Sequence, residues 1–152
     1  MSRPNLAILR GRGAEARECG AYCEWFERFY PYEYLNLIHI PNERHERMTA
    51  IQLQLMGVKA GVSDYLLALR RGEFPGMWLE FKATGRPPSS VSMAQRDWLT
   101  RMATAGYFTA VAFGLDRAIA ITRAYLAGLV TEEHWYRPGD GFTGRRRTRK
   151  GA

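Results

Sequence analysis

The sequence predicts an α/β protein, a mixed β-sheet covered by helices on both faces. Three observations carry that expectation. Segments with apolar residues at helical spacing alternate with short β-rich runs, glycine and proline punctuate the joints, and the last strand follows its predecessor through a helix, the connection that a parallel strand pair needs. At 152 residues the chain suits one domain, since a chain of that size buries roughly two-thirds of its unfolded surface. It contains no internal repeat.

The first element is a helix over residues 14–30, where Cys19, Tyr22, Cys23, Phe26 and Phe29 or Tyr30 recur at helical spacing and Pro31 closes the run. Residues 34–40 alternate loosely and are β-rich, so they predict a strand, stopped by Pro41-Asn42. A shorter helix is expected from about Glu46 to Met56, ended by Gly57. Strands follow over 64–69 and 77–83, with Arg71-Gly72 opening the turn between them. The stretch 84–91, with Gly85, Pro87 and Pro88, reads as a mobile loop. Ser92 then starts a helix with Trp98, Leu99 and Met102 apolar and Gly106 as its C-terminal cap. A strand over 107–113 and a helix over 115–126, with Ala118, Ile119, Ile121, Thr122 and Leu126 inward, complete the pattern.

Charge divides the chain. Of the net +7, residues 137–152 hold +5, from Arg137, Arg145, Arg146, Arg147, Arg149 and Lys150 against Asp140, which leaves a nearly neutral body of about +2. The expected organisation is a folded domain over 1–136 and a disordered basic tail over 137–152 that binds polyanions by releasing their counterions. A merely solubilising tail is the competing reading. No signal peptide is apparent and no apolar run reaches the ~18 residues of a membrane span, which predicts a cytosolic protein. Cys19 and Cys23, alone and four apart, fit neither a disulfide framework nor a zinc knuckle and read as core residues. His39 reads as a satisfied core histidine, and the four tryptophans as core or interface.

The chemistry concentrates between residues 61 and 82. Gly61-Val62-Ser63-Asp64 opens one strand, and sixteen residues after Asp64 comes Glu80 within Trp78-Leu79-Glu80-Phe81-Lys82. In an extended strand Glu80 and Lys82 share a face that Leu79 and Phe81 do not. With Asp64 at the start of a neighbouring strand, two carboxylates and an ammonium converge. Two carboxylates 4 Å apart repel by about 4 kcal/mol at an effective dielectric of 20, and a divalent cation removes that penalty. Hard oxygen ligands, with the Phe81 carbonyl as a third, suit Mg²⁺. Lys82 would then orient or deprotonate the attacking water and stabilise charge building on a phosphorus centre. Taken singly, Asp64 reads as a turn residue and Glu80 with Lys82 as an exposed ion pair, and Gln95 fits equally as a partner of Ser92 in a capping box. Arg44, His45 and Arg47 are candidates to touch phosphates, or else a solvated loop face.

These motifs resemble those of the virus-type replication-repair nuclease (VRR-NUC) family within the PD-(D/E)XK superfamily. The residues that carry the resemblance are Ile40-Pro41-Asn42, the run from Met56 to Asp64, Trp78-Leu79-Glu80-Phe81-Lys82, Ser92-x-x-Gln95-x-x-Trp98 and Gly106-Tyr107, spanning about residues 14–127. The resemblance implies a restriction-endonuclease-like α/β fold and a Mg²⁺-dependent DNA endonuclease, with Mn²⁺ able to substitute. By the same resemblance Asp64 and Glu80 are metal ligands, Lys82 is the catalytic lysine, Gln95 is the helix glutamine near the site, and an acid on the first helix completes the set. Glu15 falls where the family glutamate does when counted back from Trp25, and Glu18 one turn on is the alternative. The chain departs from the family at Ser63, where proline is usual, and at Asn42-Glu43-Arg44, where Asn-Gly-Gly is usual. Stand-alone, phage-type members imply a homodimer acting on branched or four-way-junction DNA in the cytoplasm of a bacterium or phage-infected cell. Phosphate contacts are expected from Arg44, Arg47, Arg145, Arg146, Arg147, Arg149 and Lys150. A non-catalytic DNA-binding module of the same fold is the alternative.

Overall fold

The computed structural model describes residues 4–42 and 48–136. The expectations for Arg44, His45 and Arg47, and for Arg145, Arg146, Arg147, Arg149 and Lys150 in the tail, lie outside those residues. Five helices and four strands are described, in the order α1 (Ala14–Phe29), α2 (Pro31–Tyr34), β1 (Leu37–His39), α3 (Ala50–Leu55), β2 (Tyr65–Leu67), β3 (Met77–Lys82), α4 (Met93–Thr104), β4 (Phe108–Phe113) and α5 (Leu115–Leu126). Short 3₁₀ turns precede α1, follow β3 and follow α5. The strands form one mixed sheet in the order β1-β2-β3-β4, antiparallel except for the parallel β3–β4 pair that α4 connects.

Strand alternation divides the core into two layers. Met77, Leu79 and Phe81 of β3, with Phe108, Ala110 and Ala112 of β4, pack with Tyr22 and Phe26 of α1 and Ala118, Ile121 and Tyr125 of α5. The opposite face carries Trp78 and Val111 against Leu99 of α4, Val91 and Tyr136. Glu80 and Lys82 share that second face by parity. The mixed α/β sheet flanked by helices is therefore as the sequence predicts. Past α5 the chain returns to the free edge of β4, where the Tyr136 amide donates to the Thr109 carbonyl at 2.8 Å and the Thr109 hydroxyl donates to the Tyr136 carbonyl at 2.8 Å. Trp135 packs on Phe74 and Phe108. Among the described residues no helix is long and apolar enough to cross a membrane.

Local departures have local causes. Pro31 does not only close α1; it occupies the first turn of α2, where its missing N–H costs nothing, so residues 31–34 are helical and β1 begins at Leu37. The short helix starts at Ala50, because Thr49 and Gln52 form a capping box. His39 is exposed rather than buried in the core, since β1 is an edge strand. The loop after β3 is anchored at both ends, by Thr84 to α1 and by buried Val91 in the second core layer.

Candidate active site

Asp64 immediately precedes β2, and its Oδ2 accepts the Phe81 amide of β3 at 2.8 Å. One hydrogen bond thus places the first acid beside the strand that carries the second. The N–H and C=O of a strand residue point to the same side, so the Phe81 carbonyl also faces Asp64. Ser63, just before it, is fully buried, its hydroxyl without a hydrogen-bond partner. This is an environment that an apolar residue would suit equally well.

Glu80 is 0% exposed. Its Oε1 accepts the Lys82 ammonium at 3.0 Å and the Gln95 amide at 2.5 Å. Its Oε2 is buried with no hydrogen-bond partner. Burial, and then the charge of Asp64, push the Glu80 carboxyl up to about 8 from 4.5, with the Lys82 ammonium opposing. Asp64 is pushed up as well, first by burial and then, against the lowering effect of the Phe81 amide, by the charge of Glu15. Two neighbouring carboxylates that resist ionisation, one of them with an orphaned oxygen, form a site short of positive charge. Their donor set of hard oxygens fits a divalent cation. The ion pair with Lys82 is present, but it is buried rather than solvated.

The two first-helix acids have different surroundings. Glu18 accepts hydrogen bonds from both the backbone amide, at 2.8 Å, and the hydroxyl of Thr84, just beyond β3. Glu15, one turn earlier, is exposed, and its charge acts on both Asp64 and Glu80. Among the described residues no three His, Cys, Asp or Glu side chains close into a metal-holding group.

Gln95 closes its capping box and also reaches the second acid. Its Oε1 accepts the Ser92 amide at 2.8 Å, closing the capping box of α4, while its Nε2 donates to Glu80. Two glycines hold these elements in place. A Cβ at Gly61, where φ is +76°, would lie 2.2 Å from the Ala94 carbonyl carbon, so only glycine lets the segment before Asp64 rest on the first turn of α4. Gly114, with φ +92°, likewise faces Thr84 and donates its amide to the Lys82 carbonyl at 2.7 Å.

Sequence reasoning missed three participants. His39 bonds through Nδ1 to the Asp64 carbonyl at 3.0 Å, and its ring lies tilted against Tyr65. Thr84 is the partner of Glu18, and Gly61 is the spacer against α4. Only Gly61 had a visible signal, as a glycine just before the acid. The other two depend on strand pairing and on helix docking.

No protein-family model matches the chain, and no curated protein matches it. A solved structure described as a VRR_NUC domain protein superposes on it with a TM-score of 0.66 and 26% sequence identity, over 76% of this chain and 90% of that one.

Proposed function

Starting from the kinship of this chain to VRR_NUC proteins, we propose that it is a Mg²⁺-dependent DNA endonuclease whose site is built on Asp64, Glu80 and Lys82. The likeness supports a nuclease-type domain. The observation that carries this reading is Glu80, buried, with one oxygen committed to Lys82 and Gln95 and the other buried without a partner.

Asp64, Glu80 and the Phe81 carbonyl would hold Mg²⁺ or Mn²⁺, with Glu15 reaching it directly or through water. When bound, the cation supplies Lewis acidity and a water of lowered pKa. Lys82, fixed by Glu80, aims its ammonium at the charge that builds on the phosphoryl oxygens and orients the attacking water for in-line hydrolysis. Gln95 would position that water or the DNA backbone. The backbone of the DNA would be met by Arg17 and Arg86, which are exposed. Arg44, Arg47 and the basic tail add affinity without chemistry. Branched or four-way-junction DNA is the substrate class and a homodimer the working form, because one chain offers one site and two strands must be cut.

The test offers purified protein duplex, flap, single-stranded and four-way-junction DNA, with Mg²⁺ or with EDTA. Cleavage should need the cation, favour the branched substrate and vanish in Asp64→Ala, Glu80→Ala and Lys82→Ala. Near-normal cleavage by Glu80→Ala would sink the assignment and leave a DNA-binding module.

A further inference from the structure

The two oxygens of Glu80 have different surroundings, and the difference traces to a helix cap. Gln95 is the third helical residue of α4, where its side chain belongs to the capping box with Ser92. Because Gln95 Oε1 accepts the Ser92 amide at 2.8 Å, Nε2 is the end of the amide turned to the sheet. That nitrogen meets Glu80 Oε1 at 2.5 Å, where Lys82 Nζ also arrives at 3.0 Å. Oε1 therefore takes two donors, and Oε2, equally buried, takes none.

We propose that Gln95 is a positioning residue which, braced by the α4 capping box, fixes the Glu80 carboxylate so that Oε2 alone is presented to the cation. The inference rests on the nuclease reading and changes one role within it. Gln95 need touch neither water nor DNA. Lys82 alone cannot set the carboxylate, because an ammonium on a flexible stem follows whichever oxygen turns toward it. The amide of Gln95 cannot follow, since its other end is held by the backbone of Ser92. The brace is itself anchored, because the Gly61 backbone lies against Ala94 and Gln95, so the helix turn that fixes Glu80 also abuts the segment leading to Asp64.

The test compares Gln95→Met, similar in length but without the amide, with Ser92→Ala, which removes the hydroxyl that caps the Gln95 amide and leaves the Ser92 N–H to Gln95 to Glu80 chain intact. Both lose a cap contact, a small fraction of a domain's stability, so both should fold with slightly lowered Tm. Only Gln95→Met should raise the Mg²⁺ concentration for half-maximal cleavage, by about tenfold or more, as removal of a ligand's supporting hydrogen bond commonly does. Its KM for DNA at saturating Mg²⁺ should stay near wild type. Calorimetric titration of Mg²⁺ into the DNA-free protein should show the same weakening. A wild-type Mg²⁺ requirement in Gln95→Met, or a raised KM for DNA with that requirement unmoved, overturns the positioning role. If Glu80→Ala is inactive alongside either result, the nuclease reading stands and only this inference falls.

Discussion

At Glu80 a buried carboxyl sits beside another acid, and its proton affinity makes stability depend on pH. Folding raises its pKa from 4.5 to about 8. The folded state thus keeps a proton that the unfolded chain releases, and cation-free stability should fall as pH rises from about 4.5 to 8. Glu80→Gln, neutral throughout, should flatten that decline and melt higher than wild type at pH 8 in EDTA. Mg²⁺ should raise the Tm of wild type and not of the variant. Thermal melts from pH 5 to 8.5 check this, and equal slopes for the two proteins would contradict it. The helix acids separate in the same manner. Glu15→Gln should cut activity severely with little change in Tm, because its charge reaches Asp64 and Glu80 without a structural bond. Glu18→Gln should mainly lower Tm, by loosening Thr84, and leave cleavage mildly affected. Rates and melts of both variants decide it, and the reverse ranking would place the functional acid one turn later.

Among the elements, α4 and the segment before β2 are the pair on which the site depends. Gly61→Ala would need both a left-handed backbone for alanine and room that the Ala94 backbone occupies. It should cost about 1–3 kcal/mol, and by displacing the first turn of α4 from Glu80 it should also lower kcat. Chemical denaturation and steady-state rates measure the two effects, and a variant as stable as wild type would mean the close approach is dispensable. The same elements show how far a sequence can be read. Helices α1, α4 and α5 were legible within about two residues, because long amphipathic periods and caps are local signals. Asp64, Glu80, Lys82 and Gln95 were legible as a group because strand parity puts Glu80 and Lys82 on one face. The start of β1 was not, since Pro31 opens a helix as readily as it closes one. Nor was the tie between Glu18 and Thr84, residues 66 apart that meet only when α1 packs on the sheet.

At the scale of the molecule, the aromatic surplus near the first helix divides. Trp25, Tyr30 and Tyr34 pack against the core, whereas Phe29 and Tyr32 do not, Tyr32 being 83% exposed. With Leu35 and Ile38, also exposed, they run along the end of α1, through α2 and onto edge strand β1. An apolar stripe beside a strand with unpaired backbone groups suits a second copy of the chain. Light scattering at micromolar concentration should report about twice the 17.4 kDa chain mass, and Tyr32→Asp with Leu35→Asp should halve it. A wild-type protein that is monomeric yet cuts junctions symmetrically would exclude this arrangement. The opposite margin of the sheet is different. There the last described residues lie against β4, with Tyr136 paired to Thr109 and Trp135 wedged on Phe74 and Phe108. Recombinant versions trimmed of the basic tail must therefore keep Tyr136. Stopping even two residues earlier would strip Thr109 of its Tyr136 partners and uncover Phe74 and Phe108 at that margin, and the shortened protein should be less soluble.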